Sequence, residues 1–305
     1  MGTPCEISLY ANSIAEGEDW AGIARAEIER LEQKYSRYRA DSWLSRINAI
    51  ASVGGAIEVD EETASLLDYA DECHNISQGL FDITSGILRK AWPKDGTTLP
   101  SAGMLAELVA RIGWSRIQWN RPSLTIPPHT ELDFGGIVKE YAADRAAGLC
   151  RSSGARDGVI NLGGDLHIIG PHPDGTPWHV GVRHPRRKDE TFSVIQVPRG
   201  GVATSGDYER CLQVEGQRYC HILNPRTGYP VRHLASVTVV APMCLLAGSA
   251  STVAMLLEDR GVAWLARLGL PHLWIDSEGA AGGSLLPSAT APVPERAGST
   301  LVERP

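Results

Sequence analysis

Asp133-Phe134-Gly135-Gly136-Ile137-Val138-Lys139-Glu140-Tyr141-Ala142-Ala143-Asp144 is the stretch on which the fold turns. It reads as the end of a strand, a carboxylate, two glycines, and then a helix that runs to about Ser152. A helix that starts this way leaves main-chain N–H groups free to meet an anion. The glycines let a phosphate or a ring come close to the backbone, and Lys139, one turn in, adds a mobile positive charge. A bare strand-to-helix turn, with glycines serving only backbone angles, accounts for the segment equally well. It is not a P-loop, because GxxxxGK[ST] is absent, and no GxGxxG follows a strand.

The same association of glycine with carboxylates or hydroxyls recurs on both sides of this segment. It appears at Gly79-Leu80-Phe81-Asp82-Ile83-Thr84, at Asn161-Leu162-Gly163-Gly164-Asp165, at Thr204-Ser205-Gly206-Asp207-Tyr208 and at His221-Ile222-Leu223-Asn224-Pro225-Arg226-Thr227-Gly228. Between them, apolar residues at three- and four-residue steps (Trp20, Ile23, Ala24, Ile28, Leu31, Tyr35) predict an amphipathic helix from Asp19. Asp41-Ser42 reads as the cap of a second helix, and 61–78 as a third that Gly79 closes. Residues 3–10 read as a strand.

Leu234 to Leu257 carries no charge, and a membrane span needs roughly 20 apolar residues. Pro242 divides this stretch into a strand, Ala235 to Val240, and a small-residue helix, Leu245 to Leu257, so a buried strand and helix is the better reading. Short β runs interleaved with four or five helices predict a mixed α/β sheet architecture. No linker interrupts the first 275 residues. A single domain over 1–278 is therefore expected, with a disordered tail over 279–305, where Ala, Gly, Ser and Pro take over.

The 305 residues include 29 Lys and Arg against 36 Asp and Glu, a net charge of −7, which excludes the broad positive surface of a nucleic-acid binder. At 43% hydrophobic and 21% charged, the chain can bury a core without disulfides. The six cysteines form no CxxC pair, so they read as free and mostly buried thiols rather than a zinc site. The sequence as it stands has no basic-then-apolar leader, which fits a cytoplasmic location. A leader ahead of Met1 would instead put the protein on the periplasmic side of the inner membrane.

Three further segments could carry chemistry. His221 titrates near neutrality and could serve as an acid or base, or simply brace the turn that follows it. Thr204 to Asp207 could offer hydroxyls and N–H groups, or form a plain β-turn. Ser251-Thr252 could give hydroxyl oxygens to a hard cation, or permit close helix packing.

In this order, the segments resemble the ApbE family of FAD:protein FMN transferases. The resemblance begins at Met1-Gly2-Thr3 and includes Tyr35-Ser36-Arg37-Tyr38-Arg39-Ala40-Asp41-Ser42-Trp43-Leu44-Ser45-Arg46-Ile47-Asn48. It continues through the glycine segments above, with Thr204 to Tyr208 extended by Glu209-Arg210, and ends on the strand from Ser236 and the helix behind it, covering about 1–275. It implies an α+β, T-fold-like architecture of mixed sheets packed with helices. It also implies transfer of the FMN half of FAD to a threonine of an acceptor flavoprotein, with Mg2+ and release of AMP. Met1, Tyr38, Leu80, Phe81, Asp82, Asp133, Lys139 and Ile222 would lie around FAD, and His221 would be the base. Gly136 by its carbonyl, and Ser251 and Thr252 by their hydroxyls, would hold the metal.

One position departs from the family pattern, which has Ala-Asp-x-x-Ala-Thr where this chain has Ala247-Gly248-Ser249-Ala250-Ser251-Thr252. Glycine thus replaces the only charged metal ligand, and the charge must come from the FAD pyrophosphate, from another acidic residue, or not at all. An FAD pyrophosphatase and a non-catalytic FAD-binding protein therefore stay open beside the transferase.

Overall fold

The computed structural model describes residues 3–93, 96, 98–208, 211–214 and 216–286. Met1, Glu209, Arg210 and the expected tail beyond 286 lie outside the described residues.

The chain opens with β1 (Cys5–Leu9), α1 (Ile14–Tyr35), α2 (Trp43–Val53), β2 (Gly55–Glu58) and α3 (Glu61–Ile76). α4 (Ala102–Val109), β3 (Gln118–Asn120), β4 (Ser123–Ile126) and α5 (Val138–Ser152) follow. The second half comprises β5 (Gly158–Leu162), β6 (Asp165–Gly170), β7 (Trp178–Arg183), β8 (Thr191–Val197), β9 (Gly200–Gly206), β10 (Cys211–Val214) and β11 (Gln217–Cys220). It ends with β12 (Leu234–Ala241), α6 (Cys244–Leu256), α7 (Gly261–Leu268), β13 (His272–Asp276) and β14 (Ala281–Gly282).

Four helices begin on side-chain caps. Ser13, Ser42, Asp60 and Ser101 each accept a hydrogen bond from the backbone N–H three residues on, which satisfies a donor the helix itself leaves unpaired. α5 and α6 lack such caps of their own, and these are the two helices that border the site.

Strands β1-β5-β6-β9-β12-β13-β14 form the main sheet, and every adjacent pair is antiparallel. β5 and β6 meet in a two-residue hairpin at Gly163 (φ 65°) and Gly164 (φ 95°), left-handed angles that suit glycine. α5 and α6 pack on one face of the sheet, and the β7–β8 hairpin covers the other through Val182, Ile195 and Val197 against Ile168, Val202, Leu273 and Ile275. β12 is buried on both faces, which explains its uninterrupted apolar run. α6 is buried nearly all round, so its stretch is charge-free for the sake of the core. No helix among the described residues is long and apolar enough to cross a membrane. Gly201 on β9 lets α6 come this close, since a Cβ there would stand 2.2 Å from the Cys244 nitrogen.

Three readings from the sequence change. Thr204 to Gly206 belongs to a central strand and is no turn, because its main chain pairs with Ser236–Thr238. No strand leads into Asp133. Strand β4 stops at Ile126 before Pro127-Pro128, which lack ladder donors, and Asp133 instead gives its N–H to the Ile83 carbonyl at 2.8 Å. The chain is also still folded past 278, since Ala281–Gly282 pairs with Trp274–Ile275.

α1, α3 and α5 are joined by a charge network. Arg30 reaches Glu27 (2.8 Å) and Glu62 (2.6 Å), Lys34 reaches Glu62 (2.8 Å) and Asp60 (2.7 Å), and Arg145 reaches Glu27 (3.1 Å). Partial burial pushes the Glu62 carboxyl upward, but the hydrogen bonds from Arg30 and Lys34 prevail and hold it near about 2, below its ordinary 4.5. A carboxyl depressed in the folded state gives stability that is complete above its unfolded value and is lost as pH falls through the folded one. Glu62→Gln should therefore flatten the loss of stability between about pH 4.5 and 2 in urea titrations. An acid limb identical to the parent's would refute the assignment.

Candidate functional site

Asp133 sits where three segments meet. Its carboxylate pairs with Arg37 from the turn after α1 and accepts the Gly135 N–H at 2.8 Å. Gly86, in the short helix Ser85–Lys90, lies against it so tightly that a Cβ would come 2.5 Å from the Asp133 Cβ. Arg37 also donates to the Tyr38 hydroxyl at 2.8 Å and stacks on its ring, and Tyr38 as a whole is 77% exposed. Phe81 is buried and abuts Gly136, where a Cβ would stand 3.2 Å from the Phe81 ring. Asp82 does not face an open space. Its carboxylate accepts from the Thr84 N–H (2.8 Å), the Thr84 hydroxyl (2.6 Å) and the Trp114 N–H (2.9 Å), which holds the Leu80–Thr84 turn in shape.

The start of α5 differs from the expected anion nest. The Ile137 and Val138 N–H groups already bond to the Phe134 carbonyl, and Gly135 bonds to Asp133. Lys139 is not mobile either. It pairs with Asp165 at the start of β6 and stands 3.6 Å from Glu140. Burial works against its charge, but the two carboxyl groups outweigh burial and raise its pKa. Asp165 accepts the Thr204 N–H at 3.2 Å, which joins this cluster to β9.

Glu140 is the least expected member. It is 7% exposed, and its Oε2 has no hydrogen-bond partner among the described residues. Burial, opposed by Lys139 and helped by Asp165, pushes its carboxyl above the usual carboxylate range. Its side chain lies over Gly248 of α6. One turn further along α6, the Ser205 hydroxyl of β9 meets Ser251 at 2.8 Å and Thr252 at 3.0 Å, while Ser251 donates to the Gly248 carbonyl at 2.9 Å. Ser251 is buried and Thr252 half-buried.

His221 follows β11 and is exposed, and Ile222 beside it is buried. The reversal after them is held by Asn224, which accepts from Gly228 at 2.8 Å, and by Val231, which donates to Ile222 at 3.0 Å. Arg226 of that reversal donates to the Gln78 carbonyl, tying it to the Leu80–Thr84 turn.

The ApbE family profile matches residues 1–274. An FAD:protein FMN transferase of Haemophilus influenzae is 30% identical over 86% of this chain and 80% of its own length. Its namesake from Vibrio cholerae is 30% identical over 90% and 85%. A crystal structure of an ApbE protein from Thermotoga maritima superposes with a TM-score of 0.84 at 32% identity, covering 93% of this chain and 94% of that one. The chain belongs to the ApbE family. The flavin transferase ApbE of Vibrio cholerae superposes as well, with a TM-score of 0.82 at 27% identity over 93% and 95% of the two chains.

Most positions expected from the ApbE resemblance connect to one another. Tyr38 reaches Asp133 through Arg37, Phe81 touches Gly136, and Lys139 is joined to Asp165 and β9. Ser251 and Thr252 meet β9 one residue further along. Met1 lies outside the described residues. Four participants were not singled out from the sequence: Arg37, Glu140, Asp165 and Ser205. All four lie inside quoted motifs, but nothing in the order of letters tells a buried carboxyl on α5 from a solvent-facing one. The ApbE positions do not line the groove of about 680 Å3 beside Asp144, His167, Arg199 and Met243, at the far end of α5 and the start of α6.

Proposed function

We propose that this ApbE-family protein transfers the FMN moiety of FAD onto a threonine hydroxyl of an acceptor flavoprotein and releases AMP. One observation carries the reading: segments distant in sequence, at Arg37–Tyr38, Phe81, Asp133–Glu140, Asp165, Ser205 and Gly248–Thr252, form a continuous chain of contacts around the start of α5. The names of the relatives support the flavin as the substrate.

In this reaction the threonine Oγ attacks the phosphorus on the riboflavin side of the pyrophosphate. The bond from that phosphorus to the bridging oxygen breaks, and AMP leaves with that oxygen. Phosphoryl-type transfers depend chiefly on positioning and charge neutralisation. His221 takes the threonine proton on an imidazole nitrogen. Arg37, fixed by Asp133 and stacked with Tyr38, presents positive charge and an aromatic face at the lip. Phe81 packs against the glycine turn and keeps water from it. Lys139 neutralises buried carboxyl groups rather than reaching out to the substrate.

Among the described residues no three His, Cys, Asp or Glu side chains form a metal cluster. The donors nearby are all hard oxygens (the Gly136 carbonyl, the Ser251 and Thr252 hydroxyls, and a buried carboxyl oxygen without a partner), a set that suits Mg2+. Mg2+ bound there would supply Lewis-acid charge to the pyrophosphate oxygens.

Incubation with FAD, Mg2+ and an acceptor flavoprotein domain tests the reading by intact-mass spectrometry and nucleotide analysis. The acceptor should gain one FMN on a threonine while AMP accumulates. Free FMN with AMP and an unmodified acceptor would make the protein a pyrophosphatase. Intact bound FAD would make it a binding protein, and either result overturns the proposal.

A further inference from the structure

The Glu140 side chain and the missing side chain at position 248 fit each other. A Cβ built on Gly248 would stand 2.6 Å from Glu140 Cγ, 3.0 Å from Cδ and 3.1 Å from Oε1, distances that packed atoms do not tolerate. Glu140 can lie where it does only because residue 248 is glycine. Space at this point of α6 is thus filled from α5 rather than by a side chain of α6 itself, and what fills it is a carboxyl group.

The surroundings of that carboxyl group are those of an incomplete ligand shell. Glu140 is more than nine-tenths buried, yet Oε2 has no hydrogen-bond partner among the described residues. An unpaired buried oxygen is costly, and native structures keep few of them. The nearest cation, Lys139, stands 3.6 Å from Oε1 and is shared with Asp165, so two carboxyl groups draw on one ammonium. Thr252 is one helical turn from Gly248 on the same side of α6, and Ser251 is bonded back to the Gly248 carbonyl. Gly136 precedes Glu140 by four residues, in the turn ahead of α5. The Glu140 carboxyl group therefore abuts the turn of α6 that leads to the Ser251 and Thr252 hydroxyls, uncharged oxygens to which a hard cation would bind weakly on their own.

We infer that Glu140 supplies the charged ligand for a divalent cation, standing in from α5 for the aspartate that α6 lacks at position 248. The two positions form one unit, since the carboxyl group on α5 fills the space that glycine leaves open on α6. The inference rests on the flavin-transfer reading for the cation's purpose, and on Glu140 and Gly248 for its place.

Mn2+ titration of the full chain, followed by the electron paramagnetic resonance of free Mn2+ with and without FAD, tests this directly. Glu140→Gln keeps the shape and removes the charge, and it should weaken Mn2+ binding at least about tenfold, because affinity at such sites follows the number of charged ligands. Gly248→Asp alone should lower the Tm, since its side chain meets Glu140. The double variant Glu140→Gly with Gly248→Asp should recover both Tm and Mn2+ binding, and it decides the matter if Glu140→Gln does not fold. The inference falls if the parent binds no Mn2+, if Glu140→Gln binds it as the parent does, or if the double variant does not bind it. Flavinylation of an acceptor by a parent that binds no Mn2+ would overturn this inference alone. Glu140-dependent Mn2+ binding without any FMN transfer would leave it standing and overturn the flavin-transfer reading.

Discussion

Replacing Asp144 with Ala should cost about 3–5 kcal/mol of stability, the usual consequence of removing one side of a buried ionic or charge-assisted contact. Asp144 is 8% exposed and projects from α5 to the start of α6. Its two oxygens accept from the Cys244 N–H at 2.7 Å and the Leu245 N–H at 2.9 Å, and Oδ1 stands 2.5 Å from His167 Nδ1. The residue at the α6 cap position, Met243, has no side chain able to serve, so a neighbouring helix provides the cap. Without Asp144, two helix N–H groups and an imidazole lose their acceptor at a largely buried position, and each such loss is costly. Urea unfolding followed by circular dichroism measures the effect. A loss below about 1 kcal/mol, the range of an ordinary exposed cap, would show that α6 is held by its apolar packing alone.

His221→Ala is the second large effect. Loss of a general base typically slows a reaction roughly 10²–10⁴-fold. FMN transfer should fall by that order while FAD affinity, measured by the quenching of flavin fluorescence, changes little. His221 is exposed at the end of β11, and the Tm of the variant, measured alongside, separates loss of the base from loss of the fold. Undiminished turnover would remove His221 from the mechanism and leave the threonine proton to another group.

Much of the fold can be read from the sequence because its signals are local. Ser42 and Asp60 cap helices close to where polar residues precede apolar periodicity, and α3 ends within three residues of Gly79. β12 and α6 divide at Pro242, as a proline between two apolar runs demands. The misread segments are those whose structure is set by distant partners. Thr204 to Gly206 looks like a turn because small polar residues cluster there, yet β12 on one side and Asp165 on the other hold it extended. Lys139 looks free because its carboxyl partner lies 26 residues away.

The site follows the same division. The resemblance puts Asp133, Lys139, Gly136 and Thr252 into one family pattern, and their segments are joined by contact. The fit between positions 140 and 248 has no local signature. Glycine at 248 reads as a lost ligand until the neighbouring helix is seen to fill the space.

The first strand, Cys5–Leu9, pairs with Gly158–Leu162. A chain emerging from the ribosome must therefore carry Cys5–Leu9 unpaired until Gly158–Leu162 has been made. Contacts between such remote segments are slow to form, and a strand waiting for its partner can join another chain. Production of this protein should accordingly be sensitive to the speed of translation and to chaperones that shield nascent strands.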